Sequence, residues 1–154
     1  MMSSIHLERE TLSKKINEEI IPSCCNGNRD AEAYLKRVFF VVRMLDDIYD
    51  EDVEVEKSDI LKGFFLWLAD IASNRFYKEY QEMLTAIHIV SFNAWQDANE
   101  WEKTDDELKK LYAHVTRDYI CELFILTAYL TGGSKLMRKV SLEVRTLFLK
   151  EIGT

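Results

Sequence analysis

Tyr34-Leu35-Lys36-Arg37-Val38-Phe39-Phe40-Val41-Val42-Arg43-Met44-Leu45-Asp46-Asp47-Ile48-Tyr49-Asp50-Glu51 is the stretch whose reading decides the fold. Its apolar residues Tyr34, Val38, Val41, Val42, Leu45, Ile48 and Tyr49 recur every three or four positions, the period of one helical face. The spacing predicts a helix that starts near Asp30 and ends in the acidic run Asp50-Glu51-Asp52. No five-residue alternating run competes with this period, so strands are not expected.

The same pattern extends outward. Upstream, a helix is expected over residues 4–21, stopped by Pro22, and Asn26-Gly27 is the turn signal of the loop that follows. Downstream, Ser58 is a suitable N-cap for a third helix. There Ile60, Leu61, Phe64, Phe65, Trp67, Leu68 and Ile71 leave almost no polar face, so it reads as central. Ser73 or Asn74 caps a fourth helix with the stripe Phe76, Tyr80, Met83, Ile87, Val90 and Ala94. Thr104 with Glu107 forms a capping box for a fifth, which turns Leu108, Leu111, Tyr112, Val115 and Tyr119 inward and ends at Gly132-Gly133. Ser134 opens a sixth, with Leu136, Val140, Leu147 and Phe148 inward. The expectation is all-α: one domain over residues 1–154, a bundle of about six helices joined by short loops.

Composition agrees. The 154 residues are 47% apolar and 31% charged, a globular balance, and 5 Gly with 1 Pro leave room for few turns. The net charge of −7 disfavours contact with nucleic-acid backbones and anionic membranes. No apolar run approaches the ~20 residues of a spanning helix. Cys24, Cys25 and Cys121 show neither zinc spacing nor a disulfide framework, and the polar start MMSSIHLERE is unlike a secretory leader. The expected compartment is the cytoplasm, and a viral or phage source fits equally.

Chemistry concentrates at the end of the second helix. Asp46 and Asp50 are four apart and share a face. Asp46 also continues the stripe Leu35, Phe39, Val42, and an inward carboxylate needs a cation, a hydrogen bond or a proton. Oxygens converging there suit Mg²⁺, a hard ion that bridges to phosphates. Arg43 stands four before Asp47, placed to pair with it or to hold an anion.

The pattern Arg43-x-x-Asp46-Asp47-Ile48-x-Asp50-Glu51 resembles the first aspartate-rich motif of class I isoprenoid synthases, closest to the squalene and phytoene synthase branch. The resemblance implies that Asp46, Asp47 and Asp50 hold Mg²⁺ against an organic diphosphate, with Arg43 as an anion contact. The family's second acidic motif has a partial counterpart in His114-Val115-Thr116-Arg117-Asp118-Tyr119-Ile120-Cys121-Glu122. It would add Asp118 and Glu122 as metal ligands and His114 and Arg117 as substrate contacts. His114, Asp118 and Glu122 share one face of a continuous helix at i, i+4 and i+8. The two segments stand closer together than in the family, whose members are about twice as long. The expectation is therefore a reduced relative that binds or acts on an organic diphosphate, not a complete synthase.

Two other readings compete. A non-catalytic helical module would bind a protein partner, or a second copy of itself, through acidic and aromatic surface, with those carboxylates pointing apart into solvent. A nucleotide pyrophosphohydrolase would set Asp97 and Glu100 against a carboxylate pair on a neighbouring helix. The aromatics Phe64, Phe65, Trp67, Phe76, Tyr77, Tyr80, Phe92 and Trp95 read as core. Trp101 and the outer residues of the third and sixth helices are the candidates for an exposed patch and dimer face.

Overall fold

The computed structural model describes residues 4–51 and 53–149, with side chains from Glu8 onward. Asp52, the last member of the acidic run, and the side chain of His6 lie outside the described residues. The fold is all-α, and no strand occurs among the described residues. The chain divides into two compact units, Met1–Tyr80 and Gln81–Thr154.

The first unit opens with α1 (Ser4–Lys15), which widens into a π-turn at Ile16–Ile20 and closes as the short α2 (Ile21–Ser23). Pro22 lies inside this continuous helical run, which ends at Ser23 and not at the proline as expected. Asn26 and Gly27 both take positive φ, so the expected turn is there. Asn28 caps α3 (Arg29–Asp50), accepting from the Ala31 amide at 3.0 Å. Glu51, at φ 56°, ends that helix in the left-handed region. α4 (Lys57–Phe65) runs into a second π-turn at Leu66–Ile71, and α5 (Arg75–Glu79) completes the unit. Asn74 caps α5 as expected, accepting from Tyr77, while its amide donates to the Asp30 carbonyl at 2.9 Å. Ser58 is not the cap of α4. Glu56 holds that position and makes no side-chain cap bond.

The core of this unit is Ile16, Ile20, Ile21, Tyr34, Leu35, Val38 and Phe76, with Cys24 and Cys25 fully buried. Tyr34 packs its ring 5.7 Å from Phe76 and 5.8 Å from Tyr77. α4 meets α3 at Gly63, whose missing side chain leaves room for Met44 and Phe40.

The second unit contains α6 (Gln81–Glu102), α7 (Glu107–Arg117), a 3₁₀ turn at Asp118–Ile120 and α8 (Cys121–Leu149). The fourth predicted helix is interrupted at Tyr80, between α5 and α6. The cap of α7 is Asp106, which accepts from the Leu108 and Lys109 amides, and not Thr104, whose hydroxyl instead donates to the Trp101 carbonyl. An ionised carboxylate at a helix start is favoured over a neutral hydroxyl by the helix dipole.

Gly133 kinks α8 at the break that Gly132-Gly133 predicts. The two halves fold back, so that Phe124 and Phe148 meet at 5.8 Å and Arg145 reaches Glu122. Gly133 has φ 72° and ψ −172°, a conformation that a residue with a Cβ adopts only under strain. No neighbour lies where that Cβ would stand, so the strain is in the backbone alone. Gly133→Ala should lower stability by about 1–3 kcal/mol. The urea midpoint reads this, and an unchanged midpoint would mean that the hairpin does not need the glycine.

Candidate functional site

The acidic end of α3 is tied into the fold. Asp47 pairs with Arg9 at 2.8 Å, the two half-exposed, so its charge is balanced by α1. Asp46 and Asp50 are both half-buried. Arg43 stands 6.0 Å from the centroid of the Phe39 ring, four residues before it on the same helix.

In the second unit the expected ladder is broken. Asp118 ends α7 at φ −85°, ψ 18°, and the 3₁₀ turn rotates Glu122 out of the register that a continuous helix would keep with His114. His114 is exposed. Arg117 bridges α7 to α6, donating to Asn99 at 2.5 Å and to Glu102 at 2.6 Å. Glu122 pairs with Arg145 across the α8 hairpin, beside the Cys121 thiol, which burial and then the Glu122 charge push up to about 12. Both cations expected to hold substrate, Arg43 and Arg117, therefore have work within the fold.

No group of three or more His, Cys, Asp or Glu side chains among the described residues could hold a metal ion. Asp46, Asp47 and Asp50 belong to one unit and Asp118 and Glu122 to the other. The carboxylate pair of a pyrophosphohydrolase is not formed either. Asp97 accepts from Asn93 of its own helix at 3.0 Å, Glu100 pairs with Lys103, and these groups are exposed.

What the structure displays instead is apolar surface. The third predicted helix is not central. Leu61 is 71% exposed, Phe64 66%, Phe65 59% and Leu68 64%, and Ile60 and Trp67 are exposed beside them. These six lie at i, i+1, i+4, i+5, i+7 and i+8, which is one continuous helical face. Within 57–71 only Gly63 and Ile71 are buried. α7 and the 3₁₀ turn after it expose further apolar residues: Leu108, Leu111, Tyr112 and Val115 on the helix and Tyr119 in the turn, expected inward, are all exposed, and it is Ala113 that is buried. Hydrophobic period marks a face that wants cover without saying what covers it.

No family model matches this chain. The curated proteins and the solved structures likewise contain no match to it. Among the described residues no helix is long and apolar enough to cross a membrane.

Proposed function

We propose that this chain is a non-catalytic helical interaction protein whose working face is that of α4 and the π-turn after it, residues 57–71. One observation carries the reading: six large apolar side chains, three of them aromatic, stand exposed on one face of one helix. Single exposed apolar residues need no explanation, but a contiguous patch of several hundred Å² does. Taking ~200 Å² for a fully exposed large apolar side chain, the six exposed fractions amount to ~700 Å². A standard protein interface buries ~800 Å² per partner.

The first partner is a second copy of the chain. An antiparallel pairing of two such helices about a two-fold axis near Phe64 is self-complementary. It sets Phe64 against the partner's Phe64, Leu61 near the partner's Trp67 and Ile60 near the partner's Leu68, and it needs no other surface. Depletion of charge at the centre of the patch, with Lys57, Asp59 and Asp70 at its margins, follows the core-and-rim pattern of interfaces. Mg²⁺-assisted diphosphate binding, which the resemblance implies, has no geometric observation in its favour.

Light scattering after gel filtration tests the reading. The natural chain should elute at twice 18.1 kDa at tens of micromolar, and Leu61→Glu/Phe64→Glu at 18.1 kDa with unchanged far-ultraviolet circular dichroism. Two carboxylates buried without partners oppose association strongly, while on a solvent-facing surface they leave the fold intact. A monomeric natural chain, or a dimer that survives the double substitution, would overturn the proposal.

A further inference from the structure

α7 turns its apolar face outward. Leu108, Leu111, Tyr112 and Val115 stand at i, i+3, i+4 and i+7, the spacing of one helical face. A surface helix ordinarily packs such a face on its own core. Here each of the four is more than half exposed, while Ala113 is fully buried and Arg117 reaches back to Asn99 and Glu102 of α6. α7 is therefore anchored by its other side, and its apolar stripe is left over. Tyr112, near the middle of the stripe, is braced from the side by Trp101 of α6, whose ring meets it edge-on at 6.5 Å. An aromatic already held in place loses little freedom when it is covered, which is what an interface anchor requires.

The charges beside the stripe select what covers it. At 3.6 residues per turn, Glu107 and His114 fall along one edge and Lys109 and Thr116 along the other. A parallel pairing of two such helices sets carboxylate against carboxylate and ammonium against ammonium. An antiparallel pairing, about a two-fold axis between Leu111 and Tyr112, sets Leu108 against the partner's Val115 and Leu111 against the partner's Tyr112. It also brings Glu107 within a turn of the partner's His114, and Lys109 beside the partner's Thr116, and each of these contacts forms twice. Glu107 and His114 are both exposed. Lys110 takes one oxygen of Glu107 at 2.9 Å, an exposed i, i+3 pair of little worth that leaves the other oxygen to accept from an imidazole N–H. The exposed fractions of the four apolar side chains amount to ~500 Å² per copy, taking ~200 Å² for each when fully exposed. About 1,000 Å² in all is the low end of specific interfaces, where association is weak.

We propose that α7 is a second self-association face, which pairs antiparallel with α7 of another copy. Together with the face of 57–71 it gives one chain two separate self-complementary surfaces, so copies link into assemblies larger than a dimer. The weaker α7 contact forms only at the higher concentration. It uses neither Leu61 nor Phe64, so this pairing and the association through 57–71 fail separately.

Sedimentation equilibrium of Leu61→Glu/Phe64→Glu reads the α7 face by itself. That chain should be monomeric at tens of micromolar and approach twice 18.1 kDa at hundreds of micromolar, where the natural chain should exceed the mass of a dimer. Adding Leu111→Glu/Val115→Glu should weaken the association at least tenfold with far-ultraviolet circular dichroism and thermal midpoint unchanged, because these side chains face solvent in the single copy. In the same background Glu107→Lys should also weaken it, and Glu107→Lys/His114→Glu should restore it, since the exchange re-forms the pair only in the antiparallel register. A Leu61→Glu/Phe64→Glu chain that stays monomeric at hundreds of micromolar, an association that survives Leu111→Glu/Val115→Glu, or a charge exchange that restores nothing would each overturn the inference.

Discussion

Replacing Tyr34 with alanine should remove about 3–5 kcal/mol of stability, the loss typical of truncating a fully buried aromatic. Tyr34 is wholly inside, on the inward face of α3, and its ring contacts both Phe76 and Tyr77. Those two belong to the segment 75–79, a helix of five residues that is too short to hold itself together. Its place depends on the Asn74 cap, on the Asn74–Asp30 hydrogen bond and on this aromatic cluster. Truncation would therefore leave a cavity and release an element at the same time. A domain with ordinary stability of about 5–15 kcal/mol would be left close to its unfolding threshold at 37 °C. Urea unfolding followed by circular dichroism measures the loss, with Leu142→Ala, an exposed site, as the comparison. The comparison should change by no more than about 0.5 kcal/mol. A Tyr34→Ala loss below 1 kcal/mol would mean that the first unit is not built around this residue.

Acid should destabilise the second unit earlier than its carboxylates alone would. His88 is mostly buried on α6, and burial lowers it from its ordinary value of 6.5 to about 4. The unfolded chain binds a proton at His88 below pH 6.5, whereas the folded chain does not until about pH 4. The stabilisation is thus fully present above pH 6.5 and is lost as the pH falls through this window. Integrated across it, the penalty is about 3 kcal/mol. His88→Gln has no such proton to exclude. Its stability should fall less than that of the natural chain between pH 7 and pH 4.5, where the carboxylates contribute equally to both proteins. Parallel slopes for the two proteins would show that the imidazole titrates as it does in water.

Most of the helices were legible in the residues because the signals that make them are local. Asn26-Gly27, Asn74 and Gly133 each act on the backbone within a turn of themselves, and the structure breaks or caps the chain at all three, whereas the first helix runs on through Pro22 to Ser23. The misreadings also have physical causes. Thr104 and Asp106 are both good caps, and the choice between them was made by the dipole and by where the preceding turn delivers the chain. The 3₁₀ turn at Asp118–Ile120 has no breaker residue to announce it. It dissolves the ladder His114, Asp118, Glu122, which presupposed an unbroken helix. The acidic residues at the end of α3 were visible as a group, but the partner of Asp47 lies on α1, and nothing in the local spacing names Arg9.

The sequence by itself determined that this protein is helical, where most of its helices start and stop, and that 57–71 carries more apolar surface than one helix needs. Those properties rest on dihedral preference, capping and period, which act over a few residues. Only the tertiary structure decided which apolar faces are covered, because burial depends on which elements pack and on how much surface they have to offer. It left the face of Leu61, Phe64, Phe65 and Leu68 in solvent and enclosed Tyr34.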